Sequence, residues 1–470
     1  MSRVKLFGNS RKSTHSAEKS GTQKQAVQAY TESGKPKKAL WKRVMTVILV
    51  IILLLESMYY TVVYSDFSPI ATLRDMYIET AMTTATHQWL ATWLFPESMV
   101  NASMEALYAS MDEQIGITSS WGEDTAETEE AAETETETEP ETEPEESVPA
   151  EEAETVTEEE TPVTEDVVEE EETVDPEAEA RAAFFEEFWE VDEDSFDTYA
   201  AAHPELLADG WDSIYINEAG LDDSGTDIYT IYGDQILAID VPNQLLLIRV
   251  SGTSYRGVLA ICKDETQVRI GASTGIGSYG QYAGVIAQQE NAVFAVNASG
   301  FIDPNGVGNG GTLAGYTVFQ GTRMGDHMGW GYKRIELRED NRLYIVDSQT
   351  TPGDDVTDAV EFYPAMIVDG EILVDETNYN SLQPRSCVGQ TENYDIMFLV
   401  VEGRQTQSLG ITLLDCAEIM AQYGCVQAMN QDGGSSAIMW YDGEYIISCS
   451  NGYEPGRQLP NAWVYGGYTE

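Results

Sequence analysis

The sequence predicts an α+β domain, with a mixed β-sheet that includes a βαβ unit, at the C-terminal end of a membrane-anchored chain. Three observations support this prediction: an apolar segment near the N-terminus, a strongly acidic middle section, and a C-terminal part in which strand patterns dominate. The chain has 470 residues and a net charge of −56, and this length allows two or three domains.

The first 64 residues predict a basic tail followed by a membrane-spanning helix. Residues 1–43 contain eleven Lys or Arg against Glu18 and Glu32, with few large apolar residues, which is typical of a disordered segment. Residues 44–64 are long enough to cross a hydrocarbon core about 30 Å thick, and Glu56 is their only charge. A buried core helix is the alternative, but the basic residues just before the segment favour a membrane span.

The same basic flank predicts the orientation of the anchor. Positive residues stay in the cytoplasm, so everything after residue 64 is expected outside the cell membrane. No small-residue cleavage site follows closely, which favours a retained signal-anchor. The orientation, and the acidity of the chain beyond the membrane, exclude nucleic acid as the natural partner.

A stem and a linker are expected between the anchor and the C-terminal domain. Residues 65–117 carry helical patterns, and their Trp89 and Trp93 are expected either at the membrane interface or against the domain. Residues 118–180 are rich in Glu, Thr and Pro and cannot bury enough apolar surface to offset chain entropy. This predicts a disordered acidic linker, which suits a bacterial protein that reaches through a cell wall.

Residues 181–470 are expected to form the domain itself. The domain begins with a short helical lead-in that is rich in Phe. Apolar runs separated by turn signals predict strands at 235–240, 244–250, 258–262, 268–270, 292–296, 336–346, 361–374, 395–401 and 462–465. Further strands are expected before and after the loop at 430–436. Helices are expected near residues 279–289 and from about Thr412 onwards.

One βαβ unit is predicted in detail. Residues 395–401 form an almost continuous apolar run, as expected of a strand buried on both faces. In the helix that follows, Thr412 with Asp415 resembles a capping box, and Gly424 stands where a terminating glycine belongs. The strands of such a unit run parallel, so the loops after them open on the same edge of the sheet. That edge should bring together Glu402, Arg404, Asn430 and Asp432.

The second of these loops is a candidate ligand-binding loop. Residues 430–436 read Asn-Gln-Asp-Gly-Gly-Ser-Ser. Glycines let a backbone approach a ligand closely, and successive N–H groups can form an anion-binding nest. A tight turn that only reverses the chain is the alternative interpretation.

Five motifs follow one another in a characteristic order: Ala295-Val-Asn-Ala-Ser-Gly-Phe301, Pro384-Arg-Ser386, Glu402-Gly-Arg404, Asn430 to Ser436, and Gly456-Arg457 with Asn461-Ala462. In this order they resemble the phosphodiester glycosidase domain family, which includes the lysosomal uncovering enzyme. The likeness covers roughly residues 234–467. Two departures bear on the substrate: Ala298-Ser299 replaces a glycine pair, and Ser435 replaces a third glycine.

The resemblance implies hydrolysis of a sugar-1-phosphodiester. The leaving phosphate monoester is a weak base, so the site needs cations and N–H donors for its charge, and a carboxylate that attacks or stabilises the anomeric carbon or activates water. Asp432 is expected to be that carboxylate, with Glu402 as the second candidate. The residues expected to hold phosphate or sugar are Arg385, Arg404, Arg457, Asn297, Asn430, Gly433, Gly434, Ser435 and Ser436. Each arginine could instead pair with one of the chain's abundant carboxylates.

Other chemistries find less support in the sequence. Only His203 and His327 lie beyond the acidic linker, and neither stands in a motif for a Ser-His-Asp triad. The five cysteines form no C-x-x-C pair, so neither a thiolate metal site nor a disulfide framework is expected. The glycine-rich residues 306–315 lack the lysine of a nucleotide-binding loop and could form a lid or a substrate cradle. No metal and no cofactor are expected.

The sequence therefore predicts a membrane-anchored extracellular hydrolase that cleaves a glycosyl phosphodiester in a cell-surface glycan or exopolysaccharide. Its expected partners are this carbohydrate substrate and the membrane. The alternative is a non-catalytic module at the cell wall that binds anionic glycans with the same arginines and glycine loop. A protein–protein scaffold at the wall is a third class.

Overall fold

The computed structural model describes residues 37–84, 87–121, 175–222, 224–303, 308–376, 379 and 381–467. Most of the predicted basic tail and most of the predicted acidic linker lie outside the described residues. The chain divides into two units, Met1–Arg74 and Asp75–Glu470.

The first unit contains one long apolar helix, α1, at Lys37–Tyr64. Its residues Leu40–Tyr64 are long and apolar enough to cross a membrane. Most of its large apolar side chains are exposed around the whole circumference. A helix that is apolar on all sides and uncovered by protein is what a lipid environment favours.

Seven further helices are described: α2 Ser68–Met82, α3 Gln88–Leu94, α4 Glu97–Glu113, α5 Pro176–Glu187, α6 Glu193–Ala202, α7 Ala283–Gln289 and α8 Leu413–Gln422. The predicted start of α8 is confirmed, because the Thr412 hydroxyl accepts a hydrogen bond from the Asp415 N–H at 3.1 Å. Its predicted end is confirmed too, since Gly424 has a φ of +84° that only glycine adopts readily.

The strands, numbered along the chain, are β1 Tyr215–Asn217, β2 Ile236–Asp240, β3 Leu245–Ser251, β4 Arg256–Cys262, β5 Val268–Ala272, β6 Phe294–Asn297, β7 Gly300–Phe301, β8 Leu313–Ala314, β9 Thr317–Phe319, β10 Thr322–Met324, β11 Lys333–Arg338, β12 Leu343–Asp347, β13 Val356–Phe362, β14 Ala365–Val368, β15 Glu371–Ile372, β16 Arg385–Thr391, β17 Ile396–Val401, β18 Cys425–Asn430, β19 Met439–Tyr441, β20 Glu444–Tyr445 and β21 Asn461–Tyr465. The C-terminal part is thus rich in strands, as predicted.

These strands form one large sheet and three smaller ones. The nine-stranded sheet has the order β1-β2-β3-β4-β17-β16-β18-β14-β15. Two five-stranded sheets have the orders β10-β9-β13-β11-β12 and β20-β19-β6-β21-β5, and β7 pairs with β8. In the large sheet, alternate residues of β3 enter different cores: Leu246 faces one and Leu247 the other. Because side chains alternate across a strand, both faces of this sheet are covered.

The βαβ prediction needs one correction. Strands β17 and β18 do run in the same direction with α8 between them, but β16 lies between them and pairs antiparallel with both. All the described strand pairs of the large sheet are antiparallel. The prediction of a mixed sheet is therefore wrong. Strands β17 and β18 still end at one edge of the sheet, because they run in the same direction. The start of the antiparallel β16 meets them there.

The stem helices pack on the strand-rich part of the second unit. Gln114, just after α4, exchanges two hydrogen bonds with the backbone of Ala365, at 2.9 and 3.1 Å. Lys333 reaches back to the carbonyl oxygens of Gln114 and Ile117 at 2.5 and 2.8 Å. Trp93 is 78% exposed and does not provide this packing. The segment after α4 therefore holds the stem against the domain.

The lead-in α5–α6 is fixed by rings and by a buried ion cluster. The Phe184 ring lies 5.0 Å from that of Phe196. Lys263 donates to Glu190 at 2.8 Å and to Asp395 at 3.0 Å. Two carboxylates around one lysine compensate the cost of burying its charge.

All five cysteines are free and buried.

Candidate active site

A cavity of about 370 Å³ opens at the edge where β17 and β18 end and β16 begins. The loops after these strands form its floor, and the stem contributes one wall through Glu79, Thr83, Thr84 and Leu107. Of the predicted site residues, the cavity collects Arg385, Arg404, Asn430, Asp432, Gly433, Gly434, Ser435, Ser436 and Arg457. The expectation that distant motifs converge at one edge is met for these nine.

The loop after β18 is held close to the backbone before β16. The N–H of Gly434 donates to the carbonyl oxygen of Pro384 at 2.9 Å. A Cβ on Gly433 would lie 2.4 Å from that same oxygen, so only glycine fits there. Gly434 has a φ of +62°. The two glycines are thus explained by close approach and backbone conformation.

Asn297 fixes this loop from the opposite side. Its amide nitrogen donates to the carbonyl oxygen of Asp432 at 2.6 Å, and its amide oxygen accepts from the Ile438 N–H at 3.2 Å. The side chain is fully buried, and it does not line the cavity. Asn297 therefore positions Asp432 and is not brought into reach of a ligand.

The predicted anion nest is partly occupied by the protein itself. The Gly434 N–H is bonded to Pro384, and the Ser436 N–H donates to the Gly433 carbonyl oxygen at 3.0 Å. Two of the N–H groups of this loop are therefore already bonded to carbonyl oxygens of the protein. Arginine side chains, rather than the loop backbone, supply most of the positive charge in the cavity.

Three arginines from three separate segments reach the cavity, and each is anchored by hydrogen bonds of its guanidinium group to the protein. Arg385 donates to the carbonyl and hydroxyl oxygens of Ser381, both at 3.0 Å. Arg404 donates to the amide oxygen of Gln383. Its φ of +58° lies in a region that non-glycine residues rarely adopt, which is typical of functional sites.

Arg457 is anchored most firmly of the three. It forms an ion pair with Asp303 and donates to the carbonyl oxygen of Gly308 at 2.9 Å. Its guanidinium carbon lies 4.7 Å from the centre of the Phe301 ring. An arginine held in this way presents a fixed charge to a ligand at little further entropic cost.

The arginines and Asp432 influence one another electrostatically. Burial lowers the pKa of Arg404, the neighbouring Arg385 lowers it further, and Asp432 raises it. Burial raises the pKa of Asp432 to about 6, and the Asp303 charge acts in the same direction. The Ser436 side chain, Arg457 and Arg404 oppose this shift. Asp432 can therefore exchange a proton near neutral pH, as a general base should.

Glu402, the second carboxylate candidate, is not brought to the cavity. It is buried, and both of its oxygens accept from Arg256, at 3.1 and 3.0 Å. One of them also accepts from the Ser448 N–H at 2.9 Å. Glu402 therefore has a structural role, because it links Arg256 to the loop that contains Ser448.

Several polar atoms at the cavity have no protein partner within the described part of the chain. They are Nε of Arg385, Oδ1 of Asn430 and both amide atoms of Gln431. Unpaired buried polar groups are costly unless a ligand or water satisfies them. All three residues line the cavity, so a polar ligand there would complete their hydrogen bonding.

Among the cavity residues that the sequence did not single out are Glu79, Asp303, Tyr363 and Gln431. Gln431 could have been included because it stands inside the loop motif. Asp303 follows the first motif closely and faces Arg457. Glu79 and Tyr363 carry no local signal, because only the packing of the stem brings them to this edge. Among the described residues, no group of three or more His, Cys, Asp or Glu side chains is arranged to hold a metal ion.

Comparison with known proteins confirms the resemblance noted in the sequence. Residues 290–465 match the family model described as phosphodiester glycosidase. The SPbeta prophage-derived uncharacterized protein YomE of Bacillus subtilis (strain 168) is 25% identical over 181 residues, which are 36% of this chain and 27% of that protein. The chain thus matches about a quarter of the length of that relative.

Among solved structures, one similar chain is the catalytic domain of zebrafish N-acetylglucosamine-1-phosphodiester alpha-N-acetylglucosaminidase, auto-inhibited by its pro-peptide. It is 16% identical, with 48% of this chain and 82% of that chain covered and a TM-score of 0.40. A hypothetical protein from Synechocystis is 12% identical, with coverages of 49% and 63% and a TM-score of 0.36.

Proposed function

We propose that this chain is a phosphodiester glycosidase that hydrolyses the bond between the anomeric carbon and the phosphate oxygen of a sugar-1-phosphodiester. The observation that carries the proposal is the cavity in which Arg385, Arg404 and Arg457 accompany Asp432. The match of residues 290–465 to the family model supports the same reaction.

In this reaction the arginines bind the phosphodiester anion. When the C1–O bond breaks, its electron pair stays on the phosphate oxygen, and the guanidinium groups stabilise the additional charge. Asp432 accepts a proton from the water that attacks the anomeric carbon. The products are the free sugar and a phosphate monoester. No strong general acid is needed, because the phosphate leaving group is a weak base.

The test is the hydrolysis of the p-nitrophenyl diester of α-N-acetylglucosamine-1-phosphate in ¹⁸O-labelled water. We expect unlabelled p-nitrophenyl phosphate and N-acetylglucosamine that carries ¹⁸O at C1. Direct release of p-nitrophenol, with ¹⁸O in the phosphate, would show phosphodiesterase cleavage and contradict the proposal. Binding without either product would favour a module that only recognises anionic glycans.

A matched pair of variants links the activity to this cavity. Asp432→Asn removes the proposed base and should lower kcat by about 10²–10⁴. Asp354→Asn changes a fully exposed carboxylate, paired with Arg323 at 3.4 Å, and should leave turnover unchanged. Equal losses in both variants would contradict the assignment.

We further propose that α1 anchors the enzyme in the cell membrane with the second unit outside. A phosphodiester-linked glycan of the cell surface or an exopolysaccharide is then the natural substrate. The charge pattern before α1 supports this orientation. Protease added to intact bacterial cells expressing the chain should digest the second unit, and protection of that unit would reverse the proposed orientation.

A further inference from the structure

A second chamber lies beside the candidate active-site cavity, along the stem. This second chamber has a volume of about 380 Å³ and shares Thr83, Leu107 and Tyr363 with the first cavity. Ligand pockets in proteins commonly measure roughly 300–1,000 Å³. Both chambers are therefore large enough for a ligand, and the residues that they share place them next to each other.

Aromatic rings connect the two chambers. The ring of Phe362 in the first cavity is stacked on that of Tyr363, with centres 5.5 Å apart and planes 16° apart. Tyr363 contacts Tyr332 of the second chamber edge to face, with centres 4.9 Å apart. The second chamber is completed by Tyr108 and Trp330, which are 57% and 62% exposed.

The combination of aromatic rings and polar groups in this lining suits a sugar ring. The C–H face of a pyranose packs on an aromatic ring, while its hydroxyl groups need polar partners at the edges. The phenol groups of Tyr108 and Tyr332 and the exposed carboxylate of Asp112 provide such partners. The carboxylate also disfavours a second anionic group here.

The residues that the two chambers share indicate which part of the substrate enters the second one. Asp432, Arg404 and Arg385 line only the first cavity, whereas Tyr363 lines both. A phosphodiester that directs its anomeric carbon to Asp432 and its phosphate to these arginines directs its other ester group towards Tyr363. The leaving group then continues into the second chamber.

We propose that the second chamber is a subsite for a sugar residue of the leaving group, so that the enzyme acts on phosphodiesters within a glycan chain. This inference rests on the proposed function. Seven of the ten residues that line the subsite belong to the stem, among them Met82, Met104, Tyr108 and Met111. The stem thus contributes to substrate selection as well as connecting the domain to the anchor.

The test compares two substrates on the full-length chain in detergent. Both carry α-N-acetylglucosamine-1-phosphate, esterified either to methanol or to O6 of an N-acetylglucosamine trisaccharide. We expect the wild type to show a kcat/KM about tenfold higher for the trisaccharide ester, equivalent to one well-packed ring contact. The Tyr108→Ala/Trp330→Ala variant should lose this preference and cleave the methyl ester as the wild type does.

The control is Trp93→Ala, which removes an exposed ring of the stem that does not line the second chamber. It should keep the preference. No preference in the wild type, or the same preference in the double variant, would overturn the inference.

Binding separates this inference from the proposed reaction. Both esters are titrated calorimetrically into the Asp432→Asn chain, with and without the two aromatic substitutions. Tighter binding of the trisaccharide ester that depends on Tyr108 and Trp330 supports the subsite even if no hydrolysis is found. Equal affinities for the two esters overturn it.

Discussion

At the scale of single residues, the proposed chemistry depends on how the structure sets the charge of Asp432. Burial favours the neutral carboxylic acid, whereas Arg457 and Arg404 favour the carboxylate. The result is a pKa of about 6 instead of 3.8. A carboxylate of this basicity accepts a proton from water more readily than an ordinary aspartate does.

Activity should therefore fall below about pH 6. The phosphodiester remains a monoanion across this range, so the acid limb of kcat/KM reports Asp432 in the free enzyme. A profile measured between pH 4 and pH 8 should rise with unit slope and level off above pH 6. A limb that persists in Asp432→Asn, measured on its residual activity, would show that another group titrates.

The raised pKa of Asp432 also predicts that the carboxylate form needed for activity lowers the stability of the folded chain. The pKa of Asp432 is higher in the folded than in the unfolded chain, so the folded chain binds more protons between about pH 4 and 6 and loses stability as the pH rises. Asp432→Asn should lower kcat by about 10²–10⁴. It should raise the free energy of unfolding above pH 6 by on the order of 1–3 kcal/mol. Denaturant titration at pH 5 and 7.5 checks the sign, and a variant that is less stable at both values would contradict it.

Glu402 should give the opposite result. Its carboxylate is bonded to Arg256 and to the Ser448 backbone, and replacing it with glutamine removes the negative charge from this ion pair. We expect Glu402→Gln to cost on the order of 2 kcal/mol of stability, while kcat at a temperature where the variant is folded stays near that of the wild type. A large loss of kcat with unchanged stability would contradict this expectation and indicate that Glu402 is a catalytic residue.

At the scale of elements, the site depends on the close approach of two loops at one sheet edge. Strand β16, inserted between β17 and β18, places the Pro384 carbonyl oxygen against the loop that carries Asp432. Asn297 at the end of β6 holds that loop from the neighbouring sheet. The carboxylate is thus positioned by two sheets rather than by a flexible turn.

Gly433→Ala tests this arrangement. The added methyl group would meet the Pro384 oxygen at 2.4 Å, so the loop must move away from β16. We expect a loss of about 1–3 kcal/mol of stability and a decrease in kcat/KM of about 10²-fold, because small displacements of a reacting group are costly. Gly329→Ala is the matched control, since its Cβ would point into open space. A Gly433→Ala variant with normal kinetics would show that the close approach is dispensable.

At the scale of the whole molecule, the chain combines an apolar helix, stem helices and a strand-rich domain. The division between the two units falls after Arg74, so the stem from Asp75 onwards belongs with the domain. The stem also lines the active-site cavity. Removing the anchor and removing the stem should therefore have different consequences.

Deleting residues 1–74 should convert the protein from membrane-bound to soluble while activity is retained. The reason is that α1 carries the exposed apolar surface, whereas the cavity is built from residues of the second unit. Ultracentrifugation of lysates with and without detergent measures the partition. Full-length chain that stays in the supernatant without detergent would contradict the role of α1 as an anchor.

The sequence by itself determined the apolar helix, the strand-rich C-terminal part, the start and end of α8, and the convergence of Arg404, Asn430 and Asp432. These features follow from local composition, capping and strand direction, all of which are written in short stretches of residues. Only the tertiary structure decided that β16 lies between β17 and β18, that Glu402 pairs with Arg256, that Asn297 supports the loop, and that Glu79 and Tyr108 stand beside the site. Such placements depend on which buried surfaces and charges find each other across hundreds of residues, and no local pattern encodes that choice.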